Sequence, residues 1–119
     1  MGKAVISLTT GLEDAEKVTV ALLTALGAAE AGRPTLIFLT KEAVRLALRG
    51  VAKGIACDGC PQMSDLMTRY EVAGGRFIAC GVCWNSKQLD KDQLVPHAEV
   101  AGTVQLWEWI GDGATTFSF

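Results

Sequence analysis

Long runs of one charge and long hydrophobic runs are both missing from this sequence. Its 11 basic and 13 acidic residues give a formal net charge of −2, and neither sign is clustered. Nucleic acids and acidic membranes recruit proteins through basic patches, so neither is expected as a partner. The longest apolar stretch runs from Val18 to Ala29, contains threonines, and is too short to cross a membrane.

An export signal is missing as well. The segment "MGKAVISLTTG" holds one lysine and an apolar run that breaks at threonines and glycine, which is too short for a signal-peptide core. We therefore expect a cytoplasmic protein, and cytosolic cysteine pairs more often bind metal or react than form structural disulfides. Histidine is scarce too, and the single one, His97, follows Pro96 near a turn. That position favours a surface or capping role over catalysis.

Hydrophobic residues, in contrast, are plentiful. They make up 50% of the 119 residues, while 20% are charged. This composition is typical of a compact fold and argues against disorder. The length suits a single domain that covers residues 1–119.

Hydrophobic periodicity predicts alternating strands and helices. Strands are predicted at Ala4 to Thr10, Thr35 to Thr40, "RFIAC", "AEVAG" and "ATTFSF". Helices are predicted at Glu13 to Ala31 with a Thr10–Glu13 capping box, at "KEAVRLALRG" capped by Thr40, from Pro61 to Gly74, from Trp84 to Leu94, and at "TVQLWEWIG". Five strands with interleaved helices predict an α/β fold, in which a mainly parallel sheet is covered on both faces.

Two cysteine pairs are the chemically distinctive feature. Cys57 and Cys60 lie in the loop "KGIACDGCPQ", and Cys80 and Cys83 come at the end of the predicted strand "RFIAC" and just after it. In open parallel sheets, reacting groups gather beyond the carboxyl ends of the strands, where loops lead into helices. The amides and dipole of a helix N-terminus stabilise an anion, which favours a nucleophilic thiolate at Cys80. Position alone is equally compatible with a cysteine that belongs to the core.

The spacing of the four cysteines favours a different interpretation. Cys57-x2-Cys60 and Cys80-x2-Cys83, nineteen residues apart, fit the pattern of a four-thiolate zinc site. Zinc or an iron–sulfur centre would be held there if the loop folds over the sheet edge where the strand ends. A reversible disulfide of the thioredoxin kind fits less well, because the nearby tryptophan, Trp84, follows the second cysteine instead of preceding the first.

Several segments follow one another in a characteristic order: "TTGLEDAEKV" leading into a long helix, "PTLIFLTKEAVRLALRG", a Gly-Gly helix end before the Cys80 strand, "DKDQLVPHAEVAG", and the closing helix and strand. This order resembles that of the DsrE/DsrF-like family of small sulfur-relay proteins. The resemblance covers essentially the whole chain and implies a three-layer α/β/α fold that assembles into trimers or hexamers. It also implies that Cys80 carries sulfur as a persulfide, received from a donor protein and passed to an acceptor protein without a cofactor.

Two features depart from the family pattern. Cys83 stands three residues after Cys80, where its thiol could attack a persulfide, release sulfide and leave a disulfide. The chain also has "NSKQL" where family carriers often have Arg-Gly, so that Lys87 is the nearby positive charge. Cys80 and Cys83 are therefore predicted as the reactive residues. The alternative is a noncatalytic oligomeric module that binds zinc or an iron–sulfur centre through Cys57, Cys60, Cys80 and Cys83.

Aromatic residues near the end of the sequence predict an interface between subunits. Trp107 and Trp109, together with Leu106 and Ile110, suit either the core or a subunit contact, and the apolar ending "FSF" favours the contact. A homo-oligomer is therefore expected.

Overall fold

The computed structural model describes residues 1–119, and its centre is a five-stranded sheet in the order β4-β3-β2-β1-β5. Every neighbouring pair of strands is parallel, which confirms the predicted α/β fold. The strands are β1 (Ala4–Leu8), β2 (Thr35–Leu39), β3 (Arg76–Cys80), β4 (Ala98–Ala101) and β5 (Thr115–Ser118). The α-helices are α1 (Ala15–Glu30), α2 (Met63–Val72), α3 (Gly81–Ser86) and α4 (Thr103–Ile110). None of the helices combines the length and the apolar composition that a membrane span requires.

The three central strands form where the sequence has short, nearly continuous apolar runs. β1 and β2 run in register, with Ile6 opposite Ile37, and four of the five residues in each strand are buried. Strands that are buried on both faces do not need the polar alternation of a half-exposed strand. β3 coincides with the predicted strand "RFIAC", so that Cys80 is its last residue.

One face of the sheet carries most of the core. Helices α1 and α2 pack there, and a cluster of 22 buried residues lies between them and the strands. Helix α2 turns one apolar face to this core, because Met63, Leu66, Met67 and Tyr70 are all buried. The helix begins at Met63, two residues after Pro61, and it ends before Gly74, whose φ of +88° suits glycine.

The predicted capping box at the start of α1 is wrong. Asp14 is the N-cap instead, and its Oδ1 accepts a hydrogen bond from the Lys17 amide at 3.0 Å. Glu13 Oε1 accepts from the Gly11 amide at 2.7 Å, which orders the loop before the helix and leaves Thr10 buried at its start. The helix therefore starts at Ala15, later than Glu13, because Asp14 is also a favourable cap.

The segment after β2 is a 3-10 helix, Lys41–Ala47, and the α-helix predicted for it is wrong. Its buried side chains, Ala43, Val44, Leu46 and Ala47, form two pairs that are three residues apart, which is the repeat of a 3-10 helix. Thr40 makes no side-chain capping bond. A second short 3-10 helix follows at Val51–Gly54.

The helix predicted at Trp84 to Leu94 is also wrong. α3 begins at Gly81, directly after β3, and ends at Ser86, so that Cys83 lies inside it. Trp84 is fully buried in the main core, which fixes the rotation of this short helix. Gln88 then adopts a left-handed conformation with a φ of 55°, and only a single 3-10 turn, Lys91–Gln93, follows before β4.

The opposite face of the sheet is covered by α4 alone, which completes a three-layer α/β/α arrangement. Only Val5, Leu36 and Ile78 are buried there, with Leu106 and Trp109 partly buried against them. Lys3 Nζ donates to the Trp109 carbonyl at 2.6 Å and ties the end of α4 to the first strand. None of the residues of α4 or β5 is fully buried.

Candidate functional site

Cys80 lies at the carboxyl edge of the sheet, as predicted. It ends β3, pairs with Ala101 of β4, and is the residue from which α3 starts. Its thiol is free and its side chain is partly exposed, although it touches the edge of the main core. The sulfur is therefore not sealed inside apolar packing, and nucleophilic chemistry requires such access.

Cys83 lies one turn further on, and its sulfur has a polar partner that the sequence did not indicate. The Lys41 backbone amide donates a hydrogen bond to Cys83 Sγ at 3.2 Å. Cys83 is also free and partly exposed. Because residues three apart on a helix are neighbours, the two thiols share the first turn of α3. β2 and β3 are adjacent strands, so the segment after β2 reaches this turn.

The backbone around the two thiols is unusual. Lys41 and Gln88 are the two residues other than glycine with a positive φ, at 54° and 55°. Lys41 donates to Cys83, and Gln88 lies two residues beyond the end of α3. A left-handed conformation costs energy for residues with a side chain, and such strain often occurs at functional sites. Nothing in the local sequence around either residue signals it.

A small group of charged side chains lies beside Cys83. Glu42 accepts a hydrogen bond from Arg45 Nε at 2.7 Å and lies 3.4 Å from Lys87 Nζ. The Arg45 hydrogen bond, with Lys87 adding to its effect, lowers the pKa of the Glu42 carboxyl. Lys87, predicted as the positive charge near the site, is therefore paired with an acid and does not face the thiols as a free cation.

Gly11 holds two loops of this edge together. A Cβ at this position would lie 2.5 Å from the Glu42 carbonyl oxygen, which leaves no room for a side chain. The loop after β1 thus packs directly against the backbone that carries Lys41. This close approach supports the position of the Lys41 amide, and it explains why glycine is needed at residue 11.

The other cysteine pair is separate from this site. Cys57 and Cys60 form a disulfide with each other, and the Cys57 sulfur lies 3.8 Å from Thr19 Oγ1 of α1. No three side chains among the histidines, cysteines, aspartates and glutamates come close enough together to hold a metal ion. The structure therefore does not bring the four cysteines together, and the pair in the disulfide lacks the thiolates of the predicted zinc or iron–sulfur site.

His97 is buried, so the predicted surface or capping role is wrong. Only 6% of its surface is exposed, and its ring packs against Phe77 and Tyr70 with centroids 5.1 and 6.1 Å away. Burial lowers its pKa, and the Glu71 carboxylate, 3.3 Å from Nδ1, opposes that shift. The His97 carbonyl accepts from the Phe77 amide near the start of β3, about 10 Å along the strand from Cys80. His97 is therefore not a partner of the thiols.

The free thiols lie on an open surface. None of the four cavities in the structure is lined by Cys80 or Cys83. Val82, between them, is 79% exposed. An exposed turn of this kind suits contact with another macromolecule better than enclosure of a small substrate.

Comparison with known proteins agrees with this architecture. The model of the DsrE/DsrF-like family matches residues 2–119. The chain belongs to the DsrE/DsrF-like family. Among solved structures, it is similar to the YchN protein from E. coli, with a TM-score of 0.80 and 19% sequence identity over the full length of both chains.

A second structural relative is MTH1491 from Methanobacterium thermoautotrophicum, a protein of unknown function. Its TM-score is 0.74 at 13% identity, again over the full length of both chains. At these identities the likeness shows the fold alone. No curated protein matches the chain.

Proposed function

We propose that this DsrE/DsrF-like protein carries or transfers sulfur as a persulfide on Cys80. The observation that carries the proposal is the placement of a free, partly exposed thiol at the carboxyl end of β3, with a second free thiol one helical turn away. Access from solvent and a position beyond a parallel strand are what a sulfur-accepting nucleophile requires.

The proposed reaction consists of two thiol exchanges. The Cys80 thiolate attacks the terminal sulfur of a donor persulfide, a sulfur–sulfur bond breaks in the donor, and the donor leaves as a thiolate. Cys80 then bears the extra sulfur as a persulfide. An acceptor thiolate attacks that terminal sulfur, takes it, and releases Cys80 as a thiolate. No net oxidation occurs, so neither a cofactor nor an oxidant is required.

Cys83 limits how long the sulfur stays. Its thiolate can attack the inner sulfur of a Cys80 persulfide, which releases hydrosulfide and leaves a Cys80–Cys83 disulfide. The Lys41 amide, 3.2 Å from Cys83 Sγ, stabilises negative charge on that sulfur and fixes its direction. We infer that Cys83 is the resolving thiol, and that delivery to an acceptor protein competes with this internal step.

The partners of the proposed reaction are proteins. The thiols lie outside every cavity, so a donor or acceptor must bring its own sulfur to the exposed turn at Val82. A cytoplasmic location stays a prediction, and it agrees with a mechanism that needs reduced thiols.

The same proposal includes a homo-oligomer, a trimer or hexamer, formed through α4 and β5. Trp107 is 67% exposed and Phe117 is 54% exposed, and Val104 is also exposed on α4. Large exposed aromatic and aliphatic side chains close together are typical of interfaces. Light scattering after gel filtration is expected to give a mass of three or six chains, and a monomer mass would contradict the assignment.

Persulfide loading tests the reaction directly. After incubation with a persulfide donor, intact-mass spectrometry is expected to show one added sulfur on the wild type and none on Cys80→Ser. Cys83→Ser is the matched control, since it removes a thiol from the same helical turn. It is expected to load and to hold the sulfur longer, with less sulfide released. Loading of Cys80→Ser at the wild-type level would refute Cys80 as the carrier.

Metal content separates this proposal from the predicted zinc or iron–sulfur module. A metal assay on anaerobically purified protein tests that alternative. Stoichiometric zinc or iron would require the Cys57–Cys60 disulfide to open and the two pairs to move together, since they are separate in the structure.

A further inference from the structure

The Cys57–Cys60 disulfide lies in the wall of the largest cavity of the molecule, a half-open space of about 340 Å³. Both cysteines line it, together with apolar side chains that include Pro61 and Met63 and with the polar side chains of Lys53 and Ser64. Both cysteines are partly exposed. A solvent molecule or a thiol can therefore reach this bond from the cavity.

The backbone, and not only the disulfide, brings the two cysteines together. The Cys60 amide donates to the Cys57 carbonyl at 3.1 Å, which closes a tight turn. Gly59 has a φ of +76° in that turn, a conformation suited to glycine. The two Cα atoms are 5.3 Å apart, within the usual range for a disulfide. Because the hydrogen-bonded turn does not need the sulfur–sulfur bond, the pair can open and close without rearranging the loop.

The bond is poorly suited to a purely structural role. It joins residues only three positions apart within one loop, and it links no two elements of the fold. The stabilisation that a disulfide gives by restricting the unfolded chain is smallest for such short loops. The neighbouring residues Asp58 and Gly59 are exposed, so little packing depends on it.

We propose that Cys57 and Cys60 form a thiol–disulfide exchange site that is independent of sulfur transfer on Cys80. A substrate thiolate attacks one of the two sulfurs, the sulfur–sulfur bond breaks, and a mixed disulfide forms while the other cysteine leaves as a thiolate. A second substrate thiolate attacks the mixed disulfide and releases the substrate as a disulfide. Two electrons pass to the protein, which ends with two thiols. A partner disulfide restores the bond by the reverse steps.

The cavity also indicates the charge of the substrate. Lys53 contributes the only charged side chain of the lining, whereas Asp58, between the two cysteines, is exposed and does not line the cavity. A thiol that carries carboxylates is attracted to such a site, whereas a cationic thiol is not. The substrate is therefore an anionic thiol, which is either a small molecule or a cysteine in an acidic protein segment.

A redox titration tests the site. The full chain with Cys80→Ser and Cys83→Ser, which removes the other thiols, is equilibrated in buffers of reduced and oxidised glutathione and then of dithiothreitol. Differential alkylation and mass spectrometry measure the fraction of Cys57–Cys60 disulfide. We expect complete and reversible reduction with unchanged circular dichroism. A bond that resists dithiothreitol in the folded protein, or whose reduction unfolds the chain, overturns the proposal.

Trapping identifies the attacked sulfur and the kind of substrate. In the same background, Cys60→Ser leaves Cys57 alone and Cys57→Ser leaves Cys60 alone. At least one of these variants is expected to form a mixed disulfide with oxidised glutathione or with an oxidised acidic cysteine peptide, and the arm that reacts faster distinguishes the small from the protein source. Absence of adducts with both probes on both variants overturns the proposal.

The charge preference has its own control. Lys53→Glu is expected to slow reduction by glutathione several-fold while reduction by uncharged mercaptoethanol stays unchanged. Lys91→Glu makes the same charge change at an exposed lysine that does not line the cavity, and it is expected to have no effect. Equal slowing by the two variants contradicts recognition at this cavity.

Discussion

The two cysteine pairs have the same CxxC spacing but differ in what surrounds them. Cys80 and Cys83 follow a strand of the central sheet, and their turn is fixed by the buried Trp84. Cys57 and Cys60 lie in a loop between a 3-10 helix and α2, and their turn is fixed by its own hydrogen bond. The first pair is free, and the second is a disulfide beside a cavity. Identical spacing thus occurs in two different surroundings, and the two chemistries proposed for these pairs follow from that difference.

The difference also separates the partners. In the proposed functions, the exposed turn at Cys80 offers its sulfur to another protein, whereas the disulfide in the cavity wall can meet a smaller group that fits inside. Both sites nevertheless need solvent access, and partial exposure provides it to all four cysteines. If both proposals hold, one DsrE/DsrF-like domain contains two independent sulfur sites.

The largest expected effect is on persulfide loading, when variants of the two cysteine pairs are compared. Cys80→Ser is expected to abolish persulfide loading, and the double variant Cys57→Ser with Cys60→Ser is expected to load like the wild type, because the two pairs share no contact. Intact-mass spectrometry of both proteins after the same donor treatment measures this. If the double variant also fails to load while its circular dichroism is native, the two pairs act as one site and are not independent.

The second-largest expected effect comes from substituting a glycine near each cysteine pair. Gly11→Ala places a Cβ against the Glu42 carbonyl and is expected to cost about 1–3 kcal/mol in the free energy of unfolding. It also displaces the segment whose Lys41 amide bonds Cys83, so loss of sulfur from Cys80 should change in rate. Urea denaturation and a time course of sulfide release measure the two effects.

Gly54→Ala is the matched control beside the other pair. A Cβ at Gly54 would meet nothing within 4 Å, and the residue does not need a positive φ. We expect a change within about 0.5 kcal/mol, as for most surface substitutions. Equal destabilisation by the two variants would show that the Gly11 contact does not brace the thiol site.

The smallest effect concerns the opposite end of the sheet, away from the thiols. Burial lowers the pKa of His97, so the folded state binds fewer protons there than the unfolded state, whose pKa is near 6.5. His97 therefore stabilises the fold above about pH 6.5, and this contribution is lost as the pH falls through the lowered pKa. Glu71 opposes the shift, which keeps the effect small.

Urea midpoints on either side of that range check the prediction. The wild type is expected to lose stability as the pH falls, and His97→Gln, which does not titrate, should lose less. Persulfide loading at Cys80 should not follow this change, because His97 lies at the other end of β3. A variant with the same pH dependence as the wild type would assign the loss to other groups.

The sheet could be predicted from the sequence, and the local helix geometry could not. Apolar runs such as "RFIAC" are short and bounded by glycines, so their position and parallel pairing follow from the pattern. The prediction for the segment that begins at Lys41 failed because its apolar spacing suits both an α-helix and a 3-10 helix. Packing against the sheet decides between the two. The predicted position of the helix after Cys80 was wrong because Trp84 is buried in the core. The polar residues around Trp84 do not indicate that burial.

Only part of the candidate site could be predicted from the sequence. The position of Cys80 follows from the end of a predicted strand, since strand ends are set by local sequence. The Lys41 amide, the Gly11 contact and the burial of His97 join segments that are distant in the chain, and hydrophobic periodicity carries no information about such pairs. The prediction of a metal site from the spacing of the four cysteines has the same weakness. Spacing in the sequence does not specify where a loop folds.

The strand order has a consequence for synthesis of the chain. β5 pairs with β1, and the Phe119 amide donates to the Ser7 carbonyl at 2.7 Å. While a ribosome makes the protein, β1 can pair with β2 early, but its other side stays unpaired until residues 115–118 emerge. An unpaired strand side readily joins a strand of another chain. The nascent protein is therefore exposed to intermolecular sheet formation for almost its entire translation.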